Sequence, residues 1–143
     1  MLRQRPSEAE RTAYIDNTVD FLLLIGGPHY QRSPTQWRVL IGRSLDRGIN
    51  PSGFYRQLAA IIEDGDRSNL LLELKQPTLV IHGTADPLIP VAHGRDLAKK
   101  IPGAKLAIIE GMGHDLPPQV MPDITKLLAQ HFVMPNQQGS LES

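Results

Sequence analysis

Two residues with side chains suited to proton transfer each follow a short apolar run of the sequence. Asp86 follows the run 77–82, and His114 follows the run 105–110. An imidazole can act as a general base near neutral pH, and an aspartate that accepts from the ring holds it in the tautomer a base needs. The two residues therefore predict acid–base chemistry, provided that the fold brings them together.

Each residue taken alone also has a simpler interpretation. Asp86-Pro87 is a common turn dipeptide, and a loop histidine such as His114 is often only solvated. The glycines on either side of Met112 let the backbone bend sharply before the histidine. If the two apolar runs are parallel strands, both loops emerge at the same edge of the sheet. Their separation in the sequence is what one crossover helix and one strand require.

The elements that would position these loops follow from the spacing of apolar residues. The runs 77–82 and 105–110 are rich in β-branched residues and suit parallel strands covered on both faces. Residues 91–101 between them have helical spacing, and a closing helix is predicted over about 119–132. The order strand, helix, strand, helix predicts an α/β fold built on a βαβ unit.

Residues 8–74 have a helical pattern instead. Ser7 is the predicted N-cap of a helix that ends at Gly26, Ser33-Pro34 begins a second helix, and Asn50-Pro51 begins a third. This order places a helical segment ahead of the two strands.

Composition excludes several functional classes. Lys+Arg and Asp+Glu are both 15, so the chain has no electrostatic footprint for nucleic acid or for an anionic membrane. The absence of cysteine removes disulfides, thiolate metal sites and cysteine nucleophiles. The histidine spacing predicts no metal site and no glycine-rich loop predicts a cofactor. The polar amino terminus lacks a signal core, so a cytoplasmic location is expected.

The stretch Pro77–Pro90, followed by Gly111–His114, resembles the last two strands of the α/β-hydrolase fold. Within that family it is most similar to the proline-iminopeptidase-like and aclacinomycin-methylesterase-like branch. The resemblance implies that Asp86 is the acid and His114 the base of a catalytic triad.

The same resemblance divides the chain into three parts. Residues 1–74 are similar to the helical cap of these hydrolases, residues 75–134 to the carboxyl-terminal part of their core, and residues 135–143 are expected to be a disordered tail. A cap closes over the active site and supplies substrate contacts.

The aromatic residues of the cap-like part are candidates for the walls of a substrate pocket: Phe21, Trp37, Phe54 and Tyr55. Ordinary helix packing is the alternative interpretation for each of them. The substrate expected by analogy is a small or medium apolar ester.

The sequence lacks a recognisable nucleophile. The family requires a serine in a G-x-S-x-G turn ahead of the acid, and none of the seven serines fits. Ser44 comes nearest, but Asp46 replaces the second glycine and the preceding residues read as a helix. We therefore expect the nucleophile to lie outside this sequence.

Two hypotheses remain open from the sequence. In the first, the chain is the carboxyl-terminal fragment of a serine hydrolase and is inactive alone; an engineered truncation, a shortened reading frame and a processed fragment are equal possibilities. In the second, it is a non-catalytic module that self-associates or binds a partner. Two strands alone leave a sheet edge and an apolar face exposed, which a homodimer would cover.

Overall fold

A computed structural model of the chain describes residues 7–48 and 51–133, and within them the predicted order of elements is confirmed. The helices are α1 (Glu8–Ile25), α2 (Pro34–Arg47), α3 (Pro51–Asp64), α4 (Ser68–Leu71), α5 (Val91–Lys100) and α6 (Met121–Val133), and the strands are β1 (Leu79–Gly83) and β2 (Lys105–Ile109). The single-turn helix α4 is too short to leave a periodic pattern and was not predicted. The predicted disordered tail lies outside the described residues.

Capping boxes define where the first two helices begin. The Ser7 hydroxyl accepts from the Glu10 N–H, and the Glu10 carboxylate accepts from the Ser7 N–H at 2.8 Å. Ser33 and Gln36 repeat this reciprocal pattern at α2, with distances of 3.0 and 3.2 Å. These contacts satisfy amide groups that the first helical turn leaves without partners, which is why the serines mark both helix starts.

Helices α1 and α2 pack against one another and form the base of the helical segment, the name used below for α1–α4. Val19 of α1 and Ile41 of α2 are buried. An ion pair joins the same two helices, with 2.9 Å between Arg11 Nη2 and Asp46 Oδ1. Asp46 is well exposed and Arg11 only half-buried, so solvent weakens the pair and the apolar contact contributes more to holding the two helices together.

Helix α3 presents an apolar face to solvent. Phe54 is 69% exposed, Ile61 63% and Ile62 72%. Exposed apolar residues at helical spacing are typical of a surface that another polypeptide covers. Despite this apolar character, no helix among the described residues is long and apolar enough to cross a membrane.

The two strands form a parallel pair within the described part of the chain. Leu79 lies opposite Lys105, and Gly83 lies opposite Ile109, with α5 as the crossover. The predicted βαβ unit is therefore confirmed. Because the strands are parallel and in register, the loops that follow Gly83 and Ile109 meet at one edge of the sheet.

The best-buried cluster lies beneath the loop that follows β2. Its buried members are Met112, Val120 and Ile124, and Tyr30, Ile81 and Ile109 pack against them. Met112 itself belongs to that loop, and Tyr30 comes from the helical segment. The core therefore anchors the loop that carries His114 and ties the helical segment to it.

Candidate active site

The loop after β1 holds the Asp86 carboxylate in a fixed position. Its Oδ1 accepts hydrogen bonds from the backbone N–H of Leu88 at 2.9 Å and of Ile89 at 2.8 Å. An aspartate that accepts from amides two and three residues further on replaces the bonds of a backbone turn. The turn interpretation of Asp86-Pro87 is therefore correct, and it also orients the side chain.

The same loop is fastened to its neighbour by backbone hydrogen bonds. The Thr84 N–H donates to the carbonyl of Ile109 at 3.0 Å, and the Ala85 N–H donates to the carbonyl of Met112 at 3.0 Å. In return, the Gly111 N–H donates to the Thr84 hydroxyl at 2.8 Å. The two backbone bonds continue the pairing past the strand ends, and the bond to the Thr84 hydroxyl adds a side-chain link between the two loops.

The loop after β2 is shaped by glycines and by the end of α1. Gly111 has φ +73°, a conformation that favours glycine. A Cβ atom on Gly113 would lie 2.2 Å from the carbonyl carbon of Gly26 and 2.3 Å from the nitrogen of Gly27. The His114 N–H donates to the carbonyl of Ile25 at 2.7 Å. Only a glycine at position 113 lets the backbone approach Gly26 and Gly27 this closely. The loop therefore packs directly against the end of α1.

The two loops bring the predicted acid and base into contact. His114 Nδ1 lies 2.8 Å from Asp86 Oδ2. Because an ionised carboxylate only accepts, Nδ1 carries the proton and the lone pair of Nε2 is left for an incoming donor. The Asp86 side chain is 6% exposed and that of His114 is 36% exposed. The buried acid thus orients a base that solvent or a ligand can reach.

The environment of Asp86 favours its ionised form. Burial acts to raise the pKa of Asp86, but the hydrogen bonds from the two loop amides and from His114 hold that pKa below its ordinary value. A carboxylate that accepts several hydrogen bonds stays charged at neutral pH. It can therefore stabilise the imidazolium that forms when the histidine takes a proton.

A second histidine packs behind the acid. His82 Nε2 lies 2.8 Å from the carbonyl of Ile89 and 3.7 Å from Asp86 Oδ2. Because a carbonyl only accepts, His82 Nε2 is protonated and donates to it. A Cβ atom on Gly94 of α5 would lie 2.6 Å from His82 Nδ1, so the imidazole ring packs directly against the backbone of that helix. The sequence placed His82 at the strand end and did not reveal this supporting contact.

A family model described as the alpha/beta hydrolase fold matches residues 3–120. The chain belongs to the alpha/beta hydrolase fold family. The resemblance to the aclacinomycin-methylesterase-like branch agrees with one of the similarities found: a rhodomycin D methylesterase of Streptomyces sp. (strain C5) is 39% identical over 61 residues. That match covers 43% of this chain and 20% of the relative.

Two further similarities extend the comparison. A non-heme chloroperoxidase of Kitasatospora aureofaciens is 34% identical over 86 residues, covering 52% of this chain and 31% of the relative. The solved structure of Est816, an N-acyl homoserine lactone degrading enzyme, has a TM-score of 0.59 at 22% identity and covers 89% of this chain and 52% of that one. At this identity the structural likeness shows the fold alone. The matched stretches span about a third or less of the curated relatives' length.

The serines that the structure describes make other contacts. The hydroxyls of Ser7 and Ser33 cap helices. The hydroxyl of Ser44 accepts from Arg47 at 3.0 Å, that of Ser52 accepts from Arg56 at 2.7 Å, and that of Ser68 accepts from Lys100 at 3.2 Å. Ser44 lies within α2, where a strand-to-helix turn is excluded, so its geometry does not suit a nucleophile elbow.

The predicted substrate-contacting residues lie in two different places. Trp37 lines a cleft of about 260 Å³ between α1 and α2, together with Tyr14 and Leu22. Phe54 and Tyr55 lie on α3, and their rings pack edge to face with 5.6 Å between the ring centroids. Phe54 is 69% exposed and Tyr55 is 71% exposed. Trp37 is thus part of the packed region, whereas the other two are outside it. Phe21 lies on α1 and is 51% exposed. A substrate-binding role stays a prediction for all four aromatic residues.

Two charged residues beside the candidate base escaped the sequence reasoning. Arg32 donates from Nη2 to the carbonyl of Leu116 at 3.2 Å, and the carboxylate oxygens of Asp115 are shielded from solvent. The two residues are far apart in the sequence, so no local spacing indicates that they lie near the same loop. Among residues 7–48 and 51–133 no group of three or more His, Cys, Asp or Glu side chains could hold a metal ion.

Proposed function

We propose that this chain supplies the acid and the base of a serine-type acyl hydrolase. His114 Nε2 takes the proton of a serine hydroxyl while the serine oxygen bonds to an ester carbonyl carbon. The imidazolium returns that proton to the departing alcohol, and a water molecule then releases the acyl group by the same route. The observation that carries this proposal is the 2.8 Å contact between Asp86 Oδ2 and His114 Nδ1, which leaves Nε2 accessible.

The nucleophilic serine, in this proposal, belongs to a part of the hydrolase outside the 143 residues. The other contacts of the five described serines support this, as does the absence of a G-x-S-x-G turn from the sequence. We therefore expect the chain alone to show no esterase turnover. Only weak effects from binding remain when a nucleophile is missing.

The proposed substrate is a carboxylic ester with a small or medium apolar acyl part. The similarity to a rhodomycin D methylesterase favours a methyl ester as the bond that is cleaved. The apolar cleft beside Trp37 is compatible with an apolar acyl part. Uncharged apolar ligands depend on such surfaces for their affinity.

The first experiment is intact-mass analysis after treatment with a serine-reactive fluorophosphonate. We expect the mass of the chain to stay unmodified, while an intact serine hydrolase treated in parallel gains one adduct. A stoichiometric adduct on this chain would place a competent nucleophile within it and overturn the proposal. A companion measurement follows acylation of histidine by diethylpyrocarbonate, in which an accessible Nε2 makes His114 react before His82, whose Nε2 donates to a carbonyl.

Self-association is a second proposal, favoured by the apolar face of α3. The exposed residues Phe54, Ile61 and Ile62 would be covered if two copies met through this face. We expect the sedimentation coefficient to rise with concentration, and Ile62→Lys to lower the dimer fraction. A concentration-independent monomer would contradict this proposal. Family membership does not favour a purely non-catalytic module, so self-association is proposed in addition to the catalytic role.

A further inference from the structure

The connection between α1 and α2, residues 26–33, runs along the histidine loop, residues 110–117. The ring of His29 packs against Gly111, since a Cβ atom built on that glycine would lie 2.1 Å from His29 Nδ1. The His114 N–H donates to the carbonyl of Ile25, where α1 ends, at 2.7 Å. These two contacts hold the backbone up to His114, but they do not hold the chain beyond it.

Arg32 of the same connection contacts the chain on the other side of the histidine. Its Nη2 donates to the carbonyl of Leu116, two residues past His114, at 3.2 Å. The side chain of Leu116 is 57% exposed, so this residue is not anchored by packing of its own side chain. The connection between α1 and α2 therefore holds the histidine loop both before and after His114.

The guanidinium of Arg32 is itself held in place by Trp37. Its central carbon lies 5.2 Å from the centroid of the Trp37 ring, within the range of a cation–π contact. The Nε atom of Arg32 is shielded from solvent and has no hydrogen-bond partner among the described residues. An arginine free to change rotamer would keep that N–H in water, because an unpaired buried donor is unfavourable. The contact with Trp37 and the bond to Leu116 therefore outweigh this cost.

We propose that Arg32 is a positioning residue that directs the His114 imidazole by fixing the carbonyl of Leu116, with Trp37 holding its guanidinium. The inference rests on the proposed function, in which Nε2 of His114 must meet a serine hydroxyl. A displacement of about 1 Å in a catalytic constellation can lower a rate by about 100-fold. In this proposal Trp37, predicted from the sequence as a pocket wall, also acts on the site through Arg32.

The chemistry of arginine suits this role. A planar guanidinium can lie over an aromatic ring and donate from its edge at the same time, whereas the ammonium of a lysine is a point charge without a flat face. Arg32→Lys should therefore keep the charge and a donor but hold the Leu116 carbonyl less well. Arg32→Met keeps the length of the side chain and removes both the charge and the donors.

The test measures hydrogen exchange of the His114 amide and the Nδ1–H proton resonance of His114 in the full chain. In Arg32→Met we expect the His114 amide to exchange about tenfold faster, because the loop opens locally when a charged hydrogen bond is lost. The Nδ1–H resonance should shift or broaden. The amides of Leu88 and Ile89, which donate to Asp86, should exchange at their original rates.

Matched variants separate positioning from general destabilisation. Arg38→Met makes the same substitution on α2, where Arg38 pairs with the exposed Asp16, and should leave both readouts at His114 unchanged. Trp37→Leu should reproduce the effect of Arg32→Met, and Trp37→Phe, which keeps an aromatic face, should have a smaller effect. Arg32→Met combined with Trp37→Leu should speed exchange by less than the product of the two single effects.

Each outcome bears on a separate part of the inference. Unchanged exchange at His114 in Arg32→Met, or equal acceleration at His114, Leu88 and Ile89, would overturn the positioning role. If Arg32→Met does not fold, Arg32→Lys decides, and unchanged exchange at His114 in that variant would overturn the role as well. Multiplicative effects in the double variant would refute the part assigned to Trp37.

Failure of the proposed function would look different. The absence of a carboxylate-bonded Nδ1–H resonance in the unsubstituted chain would count against the pairing of Asp86 with His114. Exchange of the His114 amide would still report on Arg32, because that amide bonds to Ile25 and not to the acid.

Discussion

The two loops at the carboxyl edge of the sheet hold their side chains by different means. Asp86 is oriented from within its own loop, by the amides of Leu88 and Ile89. His114 is held from a distance, because its amide donates to the carbonyl of Ile25 at the end of α1. The acid is thus preorganised by local sequence, whereas the base depends on how the helical segment is docked.

This difference determines which changes alter the candidate site. A displacement of α1 relative to the sheet moves the backbone acceptor of His114 but none of the hydrogen bonds made by the loop amides to Asp86. We expect the base to respond to changes in the helical segment and the acid to be insensitive to them. The experiments below break one anchor at a time.

Gly113→Ala should have the largest effect, because it forces the histidine loop off α1. A Cβ atom there meets the backbone of Gly26 and Gly27, which cannot move aside as a side chain can. We expect a loss of about 3 kcal/mol or more in the free energy of unfolding, the upper range for overpacking. Urea denaturation followed by circular dichroism measures it.

The control is a glycine that has open space around it. Gly103 has φ +71°, and no atom lies within 4 Å of a Cβ built there. Gly103→Ala therefore introduces backbone strain without a steric clash, and we expect the free energy of unfolding to fall by about 1–2 kcal/mol. Equal losses in the two variants would show that the contact at Gly113 is not what holds the loop.

The same contrast explains what the sequence could and could not predict. The helix starts at Ser7 and Ser33 follow from short-range signals, and the structure confirms them. The strand predicted over 77–82 is also found, with the bounds Leu79–Gly83. The proximity of Asp86 and His114 followed from parallel strands alone. The docking of Gly113 on Gly26 and Gly27, and the bond from Arg32 to the Leu116 carbonyl, depend on contacts between distant segments. No local spacing encodes such contacts.

Asp86→Asn tests the locally built anchor. Removing the charge weakens three hydrogen bonds to a carboxylate that is 6% exposed. We expect the free energy of unfolding to fall by about 2 kcal/mol at neutral pH. The folded-state pKa of Asp86 lies below its unfolded value of about 3.9, so its stabilising contribution is present above that pH and is lost as pH falls through the folded pKa.

Denaturation at a series of pH values checks this sign. The difference in stability between the unsubstituted chain and Asp86→Asn should shrink as the solution is acidified. Asp96→Asn, which removes an exposed ion pair, should change stability by less than about 1 kcal/mol at every pH. A difference for Asp86→Asn that stays constant with pH would contradict the ionised role.

Asp115→Asn should show the opposite pH dependence. The folded pKa of this carboxyl is raised by burial, so its contribution to stability is fully present below about pH 3.9 and is lost as pH rises through the folded pKa. The stability of the unsubstituted chain relative to the variant should therefore fall from acid to neutral pH. We expect the stability difference to change less with pH for Asp115→Asn than for Asp86→Asn, because the charges of Arg32 and His114 oppose the effect of burial on the pKa of Asp115. Parallel slopes for the two variants would refute the contrast between the loops.

Thr84→Val should have the smallest effect and tests the bond between the loops themselves. The substitution keeps the shape of the side chain but removes the hydroxyl that accepts from the Gly111 N–H at 2.8 Å. Because that buried amide then lacks a hydrogen-bond partner, we expect the free energy of unfolding to fall by about 1 kcal/mol. Thr78→Val is the matched control, since its hydroxyl donates to the Gln76 carbonyl at an exposed site. If the loops were held together only by their packing, both substitutions would cost the same. A larger loss at Thr84, together with faster amide exchange at Gly111 and unchanged exchange at Leu88, would show that the histidine loop opens while the acid stays in place.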